Sequence, residues 1–359
     1  MKKINIFLKD ITESGGGERV CINLANAFSK NYEVEIFSFY KSFEKPTYKL
    51  GNNVKISYLG KQNFYQANKI KKIFLKTFYR YFLSLLIILK FKNIKNEILL
   101  ANDGYFLPFF KNKKLKYFRV WHINAPKKKK RIFNYFDTLI ILSTKELEKW
   151  QQWHKNIQVI PNFLPCISSK TSNLSQKVVL SAGRMDKGDQ KGFLRLIDIW
   201  EIVKKDEKFK EWKLHIVGDG PLKEELLHKI QNKKLEHSII LLPFNKNIEE
   251  EYLKASIYVM TSHFEGFGMV LAESASYAIP SVAFDINTGP SDIIDNEKSG
   301  FLIEDGNLQE FADKLKILMQ DESLREKFGK NAKEKMQKDF SQEFVIQKWN
   351  EIINQILRK

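Results

Sequence analysis

Short apolar runs alternate along this chain with longer stretches whose apolar positions recur every three or four residues. In the first half the runs are INIFL (4–8), VEIFSF (34–39), VKISYL (54–59), ILLA (98–101), YFRVWH (117–122), TLIIL (138–142) and IQVIP (157–161). The second half repeats the grammar with VVLSAG (178–183), KLHIVG (213–218), IILLPF (239–244), IYVMTS (257–262) and PSVAFD (280–285). Runs this short and apolar predict strands of a parallel sheet, and the periodic stretches between them predict covering helices. Between the halves, PNFLPCISSKTSNLSQK (161–177) has prolines and serines but little periodicity, a linker composition. The terminal segment has apolar residues at 345, 346, 349, 352, 353, 356 and 357, so one helical face needs a partner. The pattern predicts an α/β protein of two Rossmann-like, doubly wound domains, 1–165 and 176–340, facing a cleft where ligands meet the carboxyl ends of the strands.

Composition adds limits. At 359 residues and 43% hydrophobic, the chain is long enough for two cores. Cys21 and Cys166 cannot form a disulfide framework and have no metal-ligand spacing around them, so both are expected to be reduced, partly buried thiols. The apolar part of MKKINIFLKD is too short for a secretion signal and reads as a first strand. The most hydrophobic run, 81–89, falls far below the roughly 20 residues that span a bilayer. Residues 1–165 hold 31 Lys and Arg against 11 Asp and Glu, a net +20, while the remainder is at −2. The excess gathers in KIKKIFLKTFYRYF (69–82), KNKKLK (111–116) and KKKKR (127–131). Basic runs beside aromatic residues attract polyanions, whether lipid headgroups, anionic glycolipid or nucleic acid.

Three stretches carry candidate chemistry. In SHFEGFGMVLAESASYAIP (262–280) a strand ends, the chain turns through Glu265, Gly266, Phe267 and Gly268, and a helix begins near Met269. The free N–H groups of such a first turn, with the positive end of the helix dipole, form an anion site. Glu265 and Glu273 stand eight positions apart, about 12 Å for a helical rise, a span comparable to a diphosphate with a sugar on each side. A glutamate accepts two hydroxyl hydrogen bonds, which suits the diol of a ribose; a solvated or salt-bridged surface glutamate is the ordinary alternative. SAGRMDKGDQKGFLRLIDIW (181–200) sets Arg184, Lys187 and Lys191 at the mouth of another strand, where cations can neutralise a diphosphate. SGGGERVCINLANAF (14–28) places three glycines after the first strand, allowing close backbone approach, but it is not the dinucleotide fingerprint.

Taken in order, GGGER, GRM with its following KG, VGDGP (217–221), the E-x7-E block EGFGMVLAE and NTGPSDII (287–294) resemble the retaining nucleotide-sugar glycosyltransferases of family 4, with the GT-B fold. The resemblance spans nearly the whole chain. It implies that 341–359 form a helix returning to the N-terminal domain, which binds the acceptor, while 176–340 bind the nucleotide sugar. It implies donor-binding roles for Gly16, Gly17, Arg184, Lys191, Gly266, Phe267, Gly268, Met269 and Glu273, and catalytic roles for Glu265 and His122. Glu265 would stand near the transferred sugar, Glu273 would hold the ribose, and Arg184 with Lys191 the diphosphate. His122 is also open to an ordinary half-buried place beside Trp121. The interval from Arg184 to Lys191 is about two residues longer than the family's, which leaves Lys187 as the alternative phosphate ligand; PNF also replaces the usual PNG.

The expectation is therefore a metal-independent hexosyltransferase with no cofactor, which retains the anomeric configuration. Its donor would be UDP-galactose, UDP-glucose or an N-acetyl derivative. Its acceptor would be a lipopolysaccharide or lipooligosaccharide core or a lipid-linked sugar, met at the inner, anionic face of the cytoplasmic membrane by a cytoplasmic, peripheral enzyme. A GT-B sugar-nucleotide epimerase is a near alternative. A nucleic-acid-binding protein would use the basic runs but leave the glutamate pair unexplained, so nucleic acid is not expected as a partner.

Overall fold

The computed structural model describes residues 2–60, 63–64, 66–245 and 247–358, and the chain divides into two compact units. The first comprises residues 1–162 with 342–359, and the second residues 163–341.

The first unit is built on a sheet of seven parallel strands: β1 (Lys3–Leu8), β2 (Glu33–Ser38), β3 (Val54–Tyr58), β4 (Ile98–Ala101), β5 (Lys116–Trp121), β6 (Thr138–Ile141) and β7 (Ile157–Val159). Their spatial order is β3-β2-β1-β4-β5-β6-β7. The chain thus winds outward from β1, then returns to β1's other side at β4. The register, with Ile4 opposite both Val34 and Ile98, keeps β1 central. Central strands covered by helices on both faces must be apolar throughout, and β1 and β4 are buried almost end to end. Aromatic packing fills one side of the sheet: Phe7 stacks on Phe37 at 5.0 Å and on Phe106 at 4.3 Å. The terminal helix Gln342–Arg358 belongs to this unit, where Trp349 meets Phe28 edge-on at 5.5 Å and Tyr32 Oη donates to Asn350 Oδ1 at 2.7 Å. Its apolar stripe at 345, 346, 349 and 353 is buried there.

The second unit has six parallel strands, β8 (Val178–Ala182), β9 (Lys213–Val217), β10 (Ile239–Leu242), β11 (Ile257–Met260), β12 (Ser281–Phe284) and β13 (Gly300–Ile303), ordered β10-β9-β8-β11-β12-β13. Here too the winding reverses, between β8 and β11. The helix Phe193–Lys204 covers one face and carries Trp200, fully buried, whose Nε1 donates to Ser238 Oγ at 3.1 Å.

Two expectations need correction. The edge strand β13 is absent from the hydrophobic runs named above, because GFLI is four residues long and pairs on one side only, with β12. Cys166 is exposed rather than partly buried, since the linker carries it clear of both cores, whereas Cys21 is buried and burial pushes its thiol well up. Among the described residues no helix is long and apolar enough to cross a membrane.

Candidate active site

Ligands of doubly wound sheets bind at the carboxyl ends of the strands where the winding reverses. In the second unit that point lies between β8 and β11, and both candidate stretches of that unit leave the sheet there. The loop after β8 runs to Gly192, which has φ +66° and would drive a Cβ to 1.9 Å from the Thr261 carbonyl oxygen; only glycine fits. Thr261 Oγ1 in return donates to the Gly192 carbonyl at 2.9 Å, and Arg195 ties Thr261 and Ser262 carbonyls at 2.6 Å each while stacking over Phe284. Asp189 caps the helix Phe193–Lys204 by accepting from Phe193 N at 2.8 Å and Leu194 N at 3.0 Å.

Held this way, Lys191 lies flat across Gly183, where a Cβ would strike its Cγ and Cε at 2.8 Å. Its Nζ reaches Glu265 Oε1 at 2.6 Å, and Ser262 Oγ donates to the same oxygen at 2.7 Å. Glu265 is 7% exposed. The turn carrying it is braced from behind by NTGPSDII: Thr288 Oγ1 donates to the Glu265 carbonyl at 2.5 Å, and a Cβ on Gly289 (φ +102°) would meet Phe267 O at 2.5 Å. Gly268, with φ +88°, is the N-cap of the helix Met269–Ser276. Among the described residues the first helical N–H to find an acceptor is that of Leu271, bonded to Gly268 O at 2.9 Å, so the N–H groups of Met269 and Val270 face the open end. Phe267 is buried against Phe340, and Gly266 is partly buried.

Glu273 lies in the next turn of that helix, buried, with Tyr252 Oη donating to its Oε2 at 3.2 Å. The helical spacing of about 12 Å applies only in part, because the interval from Glu265 to Gly268 is a turn and the helix begins at Met269. Lys191 joins Glu265 directly. Arg184 is not brought to the pair: its side chain is 73% exposed, and its ionic partner among the described residues is Asp186 at 3.9 Å. Lys187 is exposed.

In the first unit the winding reverses between β1 and β4, and a second cluster sits there. Asn102, just after β4, donates from Nδ2 to the Gly17 carbonyl at 3.1 Å, while its Oδ1 lies 3.1 Å from His122 Nε2. A carbonyl can only accept, so the amide NH2 faces Gly17 and the histidine donates from Nε2, leaving Nδ1 as its acceptor. Burial pushes the imidazole pKa down to about 4, with the positive charge of Arg119 acting in the same sense. A Cβ on Gly16 or Gly17 would meet nothing within 4 Å. Beside them, burial raises the carboxyl of Glu18, reinforced by the charges of Glu13 and Asp103.

Ser262, Thr288, Tyr252, Arg195 and Asn102 were not among the candidates. Ser262 stands three residues before Glu265 and could have been sought there; Tyr252 and Asn102 are joined to their partners only by the fold. Among the described residues no group of three or more His, Cys, Asp or Glu is placed to hold a metal ion.

Two doubly wound parallel α/β units, the second with a cation, a carboxylate and a helix N-terminus converging at its switch point, define a glycosyltransferase of the GT-B fold. The sequence profile of the glycosyl transferases group 1 matches residues 167–335. The amylovoran biosynthesis glycosyltransferase AmsD of Erwinia amylovora is 30% identical, over 99% of this chain and 100% of the relative. The chain belongs to the glycosyl transferases group 1. A Campylobacter jejuni α-1,4-N-acetyl-D-galactosaminyltransferase, named for a diphospho-undecaprenol-linked glycan, is 26% identical over 99% of each chain. Among solved structures, a TarM mutant of S. aureus crystallised with fondaparinux, α-GlcNAc-glycerol and UDP superposes with a TM-score of 0.81 at 19% identity, covering 99% of this chain and 100% of that one.

Proposed function

We infer that this glycosyltransferase moves a hexose, with retention of configuration and without a metal, from a UDP sugar to a bacterial surface-glycan acceptor, either a lipopolysaccharide-type core or a lipid-linked sugar. UDP-galactose, UDP-glucose and their N-acetyl derivatives are the donors to try. The observation that carries the reading is the Lys191–Glu265 pair set beside the amides that open the helix Met269–Ser276. As the bond between the anomeric carbon and the diphosphate breaks, negative charge gathers on the departing phosphate. Lys191 and the helix amides oppose that charge in place, and Arg184, exposed at the mouth of β8, is assigned to join them by turning onto the bound diphosphate. The acceptor oxygen attacks from the same face, and its proton passes to the leaving phosphate oxygen. Glu265 spends one oxygen, Oε1, on Lys191 and Ser262, which leaves Oε2 for a sugar hydroxyl. Glu273, oriented by Tyr252, accepts from the ribose diol. In the first unit Gly16 and Gly17 are assigned to the diphosphate and His122 to the donor sugar or acceptor. UDP in the TarM crystal and the surface-glycan names of the relatives support the substrate class. The basic first half supports work at the inner face of the cytoplasmic membrane, on a cytoplasmic enzyme that is peripheral to it.

The test is a panel of UDP sugars with truncated lipopolysaccharide cores and lipid-linked sugars, followed by UDP release. Acceptor-dependent release that survives a chelator is expected, and Glu265→Ala and Arg184→Ala should each remove most of it. Near-normal rates in both variants would overturn the site.

A further inference from the structure

Half of the large apolar side chains that are exposed among the described residues lie in one stretch, residues 69–90. There Lys69–Phe74, a π-helical turn Leu75–Tyr79 and Arg80–Lys90 follow one another without a break, a helix on the order of 33 Å long. Leu75, Leu83 and Ile87 are buried and anchor it to the first unit. The opposite side carries Ile70, Phe74, Phe78, Phe82, Leu86 and Leu89, spaced by four or three residues as one exposed stripe, with Ile70 80% and Phe78 75% exposed. Exposed Lys69, Lys71, Lys76 and Lys90 accompany it. Between Glu44 and Glu97 the sequence has no acidic residue and twelve Lys and Arg.

We propose that this helix lies in the surface of an anionic phospholipid bilayer, its aromatic and aliphatic stripe among the acyl-chain ends and its lysines at the headgroups. An apolar stripe alone would fit many partners. Cations without a single acid over this span select a uniformly negative one, and Phe and Tyr beside Lys suit the boundary between headgroup and hydrocarbon. The helix is not apolar enough to span the bilayer, so it docks in its plane. The inference rests on the peripheral placement proposed above and adds the face that makes the contact.

The experiment is flotation of the full chain with vesicles of phosphatidylcholine, with or without about one-third phosphatidylglycerol. Binding to the anionic vesicles should be at least about tenfold tighter. Phe74→Ser, Phe78→Ser and Phe82→Ser together should cost about tenfold, and Lys69→Glu, Lys71→Glu and Lys76→Glu should reduce binding to the neutral-vesicle level. Lys127→Glu with Lys129→Glu, basic but away from the stripe, should do less. All the substituted side chains are solvent-exposed, so thermal melts should match the parent, and UDP release with a water-soluble acceptor should be unchanged. Equal binding to both vesicle types, or variants that bind as the parent does, would overturn the proposal while leaving the transfer reaction standing. So would sedimentation showing a vesicle-free dimer that the three serines dissociate, since a second copy would then own this face.

Discussion

At the switch point of the second unit, a methyl group on Gly192 would sit 1.9 Å from one backbone carbonyl oxygen and one on Gly289 2.5 Å from another. At the switch point of the first unit, a methyl on Gly16 or Gly17 would meet nothing, although both stretches drew attention for the same reason, glycine after a strand. In the second unit glycine is what lets the backbone close up and hold Lys191 against Glu265. In the first, Gly16 and Gly17 open a helix, where glycine is a poor helix former and no neighbour requires it. Glycine kept at a cost in helix stability, with space in front of it, fits a surface left clear for a ligand. Under the proposed function the second loop serves architecture and the first serves binding, and substitutions can test each part.

The largest effect should come from the chemistry that the second loop positions. Glu265→Gln should reduce acceptor-dependent UDP release by about 100-fold or more, with a smaller effect on the melting temperature, measured by steady-state kinetics beside calorimetry. Next is the architecture: Gly192→Ala must combine a left-handed backbone with a carbonyl collision, and should destabilise the second unit by about 3 kcal/mol, lowering its melting temperature by roughly 10 °C. Gly17→Ala should do the opposite on stability, leaving it unchanged or raised by up to about 1 kcal/mol, while KM for the UDP sugar rises about tenfold. If Gly17→Ala melts early, as Gly192→Ala should, the contrast between the loops fails.

The same contrast explains what was legible in the sequence. Strands of a parallel sheet are short apolar runs, so twelve of the thirteen among the described residues could be read, the edge strands β3, β7 and β10 included, whereas GFLI at 300–303, only four residues long and opening on a glycine, escaped. Glu265, Lys191, Gly268 and Met269 could be named because each is local to a strand end or a helix start. Their supports could not. Tyr252 reaches Glu273 from a separate helix, Thr288 reaches the Glu265 carbonyl across 23 residues, and Asn102 meets His122 only because β4 and β5 are neighbours. The difference between Lys187 and Lys191 was also hidden, since it depends on Asp189 capping the helix and turning Lys191 inward.

The sharpest probe of the first unit alone is the pH dependence of stability through His122. Its pKa of about 4 in the folded chain lies below the ordinary 6.5, so between these values the unfolded chain binds a proton that the folded chain does not. Stability from this group is complete above about pH 6.5 and is lost as the pH falls toward 4, with a limiting slope of about 1.4 kcal/mol per pH unit for one proton. Asp103 and Glu18 act in the opposite sense: burial raises both carboxyls, so each costs stability at neutral pH and that cost fades on acidification. The slope of the parent protein alone is therefore a sum of opposed contributions. Urea unfolding of the parent and of His122→Gln at pH 7 and pH 5 removes the carboxyls by difference. The parent should lose more stability than the variant on acidification. Equal losses would mean that the imidazole is not held neutral by its burial beside Arg119.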